Sequence, residues 1–128
     1  MNPTYVGKGG EKVPRPTKKR QVCCLPFNRE FLPARSAVGQ IVLSIDEYET
    51  VRLIDLETCT QEECAAQMRV SRTTVQGIYN AARRKIADAL VNGRRLVISG
   101  GDYVVCRRYS GQCGKGCHRH CCKNPQQE

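Results

Sequence analysis

The chain has 128 residues, of which 40% are hydrophobic and 5% aromatic, and it carries a net charge of +9 and nine cysteines. This length allows one domain with a modest aliphatic core. No apolar run approaches the ~18 residues that span a bilayer, and no hydrophobic signal segment is visible, so we expect a cytoplasmic protein without membrane contact. An odd number of thiols in that compartment argues against a disulfide framework.

The chain divides into three predicted segments. Residues 1–20 are rich in Gly, Pro and basic residues, which is typical of a flexible arm. Residues 21–106 contain the periodic patterns expected of a folded domain, and residues 107–128 form a basic, cysteine-rich tail. Within the domain, residues 21–25 and 41–43 are short apolar runs that are candidate strands.

Two predicted helices occupy residues 44–57 and 60–68. Ser44 with Glu47, and Thr60 with Glu63, have the spacing of capping boxes that begin helices. Two cysteines, Cys59 and Cys64, stand where the pattern requires apolar residues, so we interpret them as buried thiols. The acidic residues of this region are interpreted as helix-terminal and surface charges: Asp46, Glu47, Glu49, Asp55, Glu57, Glu62 and Glu63.

A third helix is predicted at residues 71–91, with Ser71 as its cap and Gly93 as its stop. Its apolar positions recur every three to four residues and predict one buried side: Val75, Ile78, Tyr79, Ala82, Ile86 and Leu90. After it, residues 95–106 contain two β-branched runs around a Gly-Gly-Asp turn. We predict a β-hairpin here that packs on the helices with residues 21–25 or 41–43, or pairs with a second copy.

The second and third helices, joined by a short turn and supported by the first, predict a helix-turn-helix unit. The net charge changes from −6 over residues 44–68 to +6 over residues 69–95, which favours a polyanionic partner. The candidate DNA-binding residues lie on the third helix: Ser71, Arg72, Thr73, Thr74, Gln76, Asn80, Arg83 and Arg84.

These side chains suit a double helix. Arg pairs with guanine, and Gln or Asn with adenine, in the major groove. Ser71, Thr74, Arg84 and Lys85 are better placed for phosphates, so binding should weaken as salt rises. The alternative is an ordinary bundle of three helices with a solvated basic side.

The segments LSIDEYETVRLID and TQEECAAQMRVSRTTVQGIYNAARRKIADAL resemble the fourth region of sigma factors, which reads the −35 promoter element. Together with RPTKKRQVCCLP and ISGGDY, they resemble more closely the uncharacterised bacterial and archaeal family called domain of unknown function 134, over roughly residues 14–106. That family is described as predicted DNA-binding proteins. The resemblance implies a mainly α, winged-helix-like fold and a prokaryotic transcriptional regulator. By position it makes Ser71, Arg72, Thr73, Thr74 and Gln76 the start of a recognition helix.

The remaining cysteines form a second pattern. Cys113, Cys117 and Cys121 recur every four residues, with Cys122 and His118 beside them. Thiolates at short spacing favour zinc or an iron–sulfur cluster. Additional candidate ligands near the predicted strands are Cys23, Cys24 and Cys106. The alternative is a disordered tail that adds non-specific affinity for DNA, and a metal- or redox-responsive regulator would combine both.

No phosphate-binding glycine loop, cofactor fingerprint or paired-carboxylate constellation is present, so we do not expect an enzyme. Double-stranded DNA is the expected partner. A homodimer would extend the few base pairs that one helix-turn-helix reads. A different hypothesis is a protein-interaction module, or a metal-binding protein, whose helices do not read DNA. The acidic residues of the first two helices would then dock RNA polymerase or another protein.

Overall fold

The computed structural model describes residues 19–106, and three helices make up nearly half of this part of the chain. Helix α1 spans Ile45–Val51 and continues as a wider π-helical turn over Arg52–Leu56. Helix α2 spans Gln61–Met68, and α3 spans Arg72–Asn92. The prediction of a mainly α-helical fold is therefore confirmed, and the three helices lie within a few residues of their predicted bounds.

Local hydrogen bonds set the start of the first two helices. The Ser44 side chain accepts from the backbone of Glu47, and the Glu47 carboxylate accepts from the backbone of Ser44 at 2.9 Å. Thr60 and Glu63 exchange the same two bonds at 3.0 and 2.8 Å. Both predicted capping boxes are confirmed, and they satisfy backbone donors that have no acceptor inside the helix.

A turn of three residues, 69–71, joins α2 to α3. Arg69 takes a left-handed φ of 61° and ends α2. Ser71 caps α3 by accepting from the backbone of Thr74 at 3.1 Å, and Gly93, with a φ of 64°, ends it. The cap and the stop of α3 are therefore those predicted.

Five short strands accompany the helices: β1 Arg20–Val22, β2 Glu30–Phe31, β3 Gln40–Leu43, β4 Arg95–Ile98 and β5 Tyr103–Val105. β1 and β5 form a parallel pair. In a second sheet, β4 lies between antiparallel β2 and parallel β3. The candidate strands at residues 21–25 and 41–43 correspond to β1 and β3, whereas β2 was not predicted.

The hairpin predicted at residues 95–106 is wrong in its pairing, because its two strands do not pair with each other. Its two strands and the glycine turn are present, but β4 pairs with β2 and β3, and β5 pairs with β1. The turn does not fold the strands onto each other because it is held over the start of α1. There the backbone of Ile45 donates to the carbonyl of Gly100 at 2.9 Å.

Two apolar clusters form the core. The first joins α2 to the start of α3 through Leu53, Cys59, Cys64, Ala65, Met68 and Val75. The second joins the strands to α1 and the middle of α3 through Val22, Leu43, Ile45, Ala82 and Ile98. Because α3 contributes to both clusters, its position is fixed along more than two turns.

Cys59 and Cys64 are buried in the first cluster, as predicted. Burial, together with the neighbouring Cys59, raises the pKa of the Cys64 thiol to about 12. The protonated thiol of Cys64 lies 3.7 Å from the sulfur of Met68. Cys64 therefore behaves as a small apolar side chain.

Two leucines that regular helical spacing would bury are exposed. Leu56 is the last residue of the π-helical turn, which is wider than a regular 3.6-residue turn, and it is 71% exposed. Leu90 lies near the end of α3, where the second cluster ends, and it is 81% exposed while Ala89 is buried. Among the described residues, no helix is both long and apolar enough to cross a membrane.

Candidate nucleic-acid interface

One side of α3 carries the predicted DNA-binding residues. Seven of the eight are exposed and Thr74 is half-buried: Ser71, Arg72, Thr73, Gln76, Asn80, Arg83 and Arg84 are the exposed ones. The helical repeat of 3.6 residues places Thr73, Asn80 and Arg84 opposite the buried stripe of Val75, Ala82 and Ala89, with Arg72, Gln76 and Arg83 toward one flank. The structure therefore leaves these six side chains accessible on one half of the helix surface.

The rest of the molecule holds this side of α3 in place. Val75 packs against α2 in the first cluster, and Ala82 packs below β3 and α1 in the second. The backbone of α2 also meets β1, where the Gln21 side chain donates to the carbonyl of Gln67 at 3.3 Å. A helix anchored at two levels presents its outer side in a fixed direction, which a precise binding surface requires.

Arg72, the first residue of α3, forms an ion pair with Glu62 of α2. The distance between Arg72 Nε and Glu62 Oε2 is 3.2 Å, and the two side chains are 59% and 71% exposed. Exposed pairs of this kind stabilise a protein by about 0–1 kcal/mol. Arg72 can therefore exchange Glu62 for an anionic ligand at low energetic cost.

A second arrangement, which the sequence analysis did not predict, involves Tyr79. Its hydroxyl donates to Asp55 Oδ1 at 2.7 Å, and burial together with this hydrogen bond raises the pKa of Tyr79. The guanidinium of Arg83 lies 5.2 Å from the centre of the Tyr79 ring, within the range of a cation–π contact. The spacing of four residues between Tyr79 and Arg83 is the signal that could have indicated this pair.

Lys85, which the sequence analysis predicted to contact a phosphate, is instead paired with Glu47. Its Nζ lies 2.8 Å from Glu47 Oε1, and the pair joins α3 to α1. An additional cation, Arg69, was not among the predicted site residues. It is exposed in the turn directly before α3, so it adds positive charge beside the helix start.

Three of the acidic residues interpreted as helix-terminal and surface charges are buried: Asp46 and Glu47, which do lie in the first turn of α1, and Glu49. They are inside because each has a hydrogen-bonding or cationic partner. Ser44 donates to Asp46 at 2.5 Å, and Glu49 holds Arg52 through two contacts of 2.9 and 3.0 Å. The remaining acids are exposed or half-buried: Asp55, Glu57, Glu62 and Glu63.

Of the candidate metal ligands, three lie in the described residues. Cys23 and Cys106 are buried and Cys24 is half-buried. The backbone of Cys106 donates to the carbonyl of Val22 at 2.7 Å, which extends the β1–β5 ladder and sets Cys106 opposite Cys23. Within residues 19–106, no group of three or more His, Cys, Asp or Glu side chains is arranged to hold a metal ion.

The other candidate metal ligands lie outside the described residues: Cys113, Cys117, His118, Cys121 and Cys122. The prediction of zinc or an iron–sulfur cluster therefore stays a prediction. The basic arm at residues 1–18 and the tail from residue 107 are also outside the described part of the chain.

Comparison with known proteins gives one family. Residues 11–106 match the model of the family described as protein of unknown function DUF134. A UPF0251 protein of Desulfitobacterium hafniense (strain DSM 10664 / DCB-2) is 54% identical over 110 residues, covering 84% of this chain and 88% of that protein. A UPF0251 protein of Ruminiclostridium cellulolyticum is 45% identical over 107 residues, covering 79% and 84%.

A third relative, the UPF0251 protein of Caldicellulosiruptor saccharolyticus, is 48% identical over 105 residues, which are 80% of this chain and 76% of that protein. No solved structure matches the chain significantly.

Proposed function

The chain belongs to the family described as protein of unknown function DUF134, and we propose that it is a sequence-specific DNA-binding protein that regulates transcription. In this proposal α2, the turn at residues 69–71 and α3 act as a helix-turn-helix, supported by α1. The arrangement would be of the kind found in the fourth region of sigma factors, within the winged-helix-like superfamily.

Helix α3 enters the major groove with its first turns against the base edges. Arg72 and Gln76 are one turn apart on the exposed side and would contact neighbouring base pairs, the arginine suiting guanine and the glutamine adenine. Asn80, a further turn along, would contact adenine or the edge of the groove. Arg72 releases Glu62 when it binds, which removes only a weak surface pair.

The phosphates on both sides of the groove are bound by short polar groups and cations. Ser71, Thr73 and Thr74 surround the start of α3, where unpaired backbone N–H groups and the helix dipole favour an anion. Arg83, held against Tyr79, and Arg84 lie farther along the same side. These contacts position the helix, whereas the base contacts select the sequence.

One observation carries the proposal: the basic and amide side chains of α3 are exposed while much of the acidic charge of α1 is turned inward. Asp46, Glu47 and Glu49 are each less than 9% exposed, and Glu47 and Glu49 are neutralised by Lys85 and Arg52. Because these carboxylates are buried and paired, the surface that a DNA backbone meets at α3 is more positive than the acidic residues of α1 alone would suggest. The same burial weakens the alternative in which an acidic surface of α1 docks a protein partner.

The experiment is selection of genomic fragments by the purified full-length chain, followed by affinity measurement on a selected duplex. Arg72→Ala with Gln76→Ala should weaken binding by at least about thirtyfold, since each base contact contributes ~1–3 kcal/mol. Circular dichroism should show unchanged helix content, because both side chains are exposed.

The matched control is Arg35→Ala with Gln40→Ala, which removes the same residue types and charge from exposed positions outside the proposed DNA contacts. The control should bind the selected duplex as the wild type does. Equal affinity for the wild type and the α3 variant, or equal losses in the two variants, would contradict the proposed role of α3.

A further inference from the structure

An exposed apolar surface lies at the other end of α3 from the proposed DNA contacts. It consists of Phe31, Leu32, Ile86, Leu90 and Leu96, which we call the β2–α3 patch. Phe31 is 51% exposed, Leu32 65% and Leu90 81%. Exposed apolar side chains that are contiguous in this way mark an interaction surface more often than scattered single ones do.

The patch contains both hollows and protrusions. One groove of about 280 Å³ is lined by all five patch residues. A second groove of about 220 Å³ shares Phe31, Ile86 and Leu96 with it and continues to Tyr48 and Val51 of α1. Leu32 and Leu90 project beside the first groove. A surface that has knobs and hollows together can be complementary to itself, as a twofold-symmetric interface requires.

The charges at the border of the patch are balanced and mutually paired. Arg94 Nε lies 2.9 Å from Asp88 Oδ1, and its Nη1 donates to the carbonyl of Val38 at 2.8 Å. Arg95 of β4 pairs with Glu30 of β2. A second copy with the same border can approach without net repulsion, whereas an acidic or basic partner finds no opposite excess of charge.

A small ligand fits this surface less well. Each groove is smaller than the ~300–1,000 Å³ of typical small-molecule sites. Arg94 is the cation that lines the larger groove, and its Nε and Nη1 already donate to Asp88 and to the carbonyl of Val38. The described residues around the grooves thus offer little to orient a polar ligand.

The parts of this chain outside residues 19–106 are also poorly suited to cover the patch. The tail at residues 107–128 contains no Leu, Ile, Val, Met or Phe, and the arm at residues 1–18 holds only Met1, Val6 and Val13 of those types. A second copy, in contrast, brings Leu90, Leu32 and Phe31 to the interface.

We infer that the β2–α3 patch is the interface of a homodimer in which two copies pack symmetrically through the ends of their α3 helices. Fourteen residues separate Gln76 from Leu90, which corresponds to about 21 Å along a helix. With the two helices end to end, the Gln76 residues would be roughly 42 Å apart plus the distance between the two Leu90 residues. Helices that meet at an angle bring them closer, so the range includes the ~34–36 Å between half-sites on one side of DNA. This consequence for DNA rests on the proposed function, whereas the dimer itself does not.

The test is sedimentation of the full chain without DNA at micromolar concentrations. The wild type should be a dimer. Leu90→Glu should raise the dimer dissociation constant at least about a hundredfold, because the twofold interface would bury one new charge from each copy. The matched control is Leu56→Glu, which alters a leucine that is 71% exposed but outside the patch. The control should remain a dimer.

Circular dichroism of Leu90→Glu should match the wild type, because Leu90 is already exposed. A wild type that stays monomeric up to the highest soluble concentration would overturn the inference. In that case the patch would be covered by the protein's own chain or by a different protein. A Leu90→Glu variant that dimerises like the wild type would overturn it as well. A dimer that binds no selected duplex would contradict the proposed function alone.

Discussion

Individual residues of this molecule adopt conformations that only some side chains tolerate. Thr58 has a left-handed φ of 61°, and Gly101 has a φ of 104°. At Gly101 the chain also passes close to the start of α1, where an added Cβ would lie 2.5 Å from Asp46 Oδ1 and 2.9 Å from Ser44 Cβ. Gly101 therefore fixes the crossing of the β4–β5 turn over the cap of α1.

Two glycine substitutions should have opposite effects. Gly101→Ala should lower the free energy of unfolding by about 2–3 kcal/mol, because it adds backbone strain and a clash with Ser44 and Asp46. Gly77→Ala should raise the free energy of unfolding by about 0.5–1 kcal/mol, since a helix favours alanine and nothing lies within 4 Å of the added atom. Urea unfolding of the two variants and the wild type measures both. A Gly101→Ala protein as stable as the wild type would contradict the close packing.

At the scale of elements, the buried pair of Glu49 and Arg52 joins α1 to β1. Glu49 is fully buried and Arg52 is 6% exposed. Burial disfavours the charge on Arg52, but the hydrogen bonds and charge of Glu49 outweigh it and raise the pKa of the guanidinium. The Glu49 carboxylate also accepts a hydrogen bond from the backbone N–H of Cys23 at 2.9 Å. This bond places the end of β1 against α1.

Breaking this pair should cost far more than breaking the exposed pair of Arg72 and Glu62. Arg52→Met leaves the Glu49 carboxylate buried without its main cation and should lower the free energy of unfolding by about 3–5 kcal/mol. Glu62→Gln should change it by less than about 1 kcal/mol. Adding Glu49→Gln to Arg52→Met should recover part of the loss. If Arg52→Met and Glu62→Gln lowered the free energy of urea unfolding equally, burial would not explain the contribution of the Glu49–Arg52 pair to stability.

The sequence predicted those elements whose signals are local. The capping boxes at Ser44 and Thr60, the cap at Ser71 and the stop at Gly93 each depend on a few neighbouring residues, and all four are present. Strand pairing depends on partners far along the chain, so the separate sheets of β4 and β5 did not follow from two β-branched runs. The π-helical turn, which exposes Leu56, has no simple sequence signature either.

The same difference between local signals and distant partners applies to the candidate site. The exposed set on α3 could be predicted because a helical repeat alone decides which residues share a side. The partners of those residues could not. Lys85 is paired with Glu47, and Asp55 binds Tyr79, through contacts between different helices. The burial of Glu49 likewise depends on Arg52 and on the backbone of β1.

On the scale of the whole molecule, α3 is the element that connects the two proposed surfaces. Its first turns carry exposed basic and amide side chains, Val75 and Ala82 bury its other side in the two core clusters, and its end borders the β2–α3 patch. A rigid helix with DNA contacts at one end and a twofold interface at the other sets the spacing of two half-sites. The separate positions of these surfaces allow each to be removed without the other.

Amide hydrogen exchange of the full chain, with and without a selected duplex, tests the DNA contact most directly. The first backbone N–H groups of α3 have no acceptor within the helix, so they exchange quickly in the unbound protein. We predict that the duplex slows exchange most strongly at Arg72 and Thr73 and in the turn at Arg69, with little change at Glu30 and Phe31 of β2. Strong protection confined to segments other than the start of α3 would contradict the account.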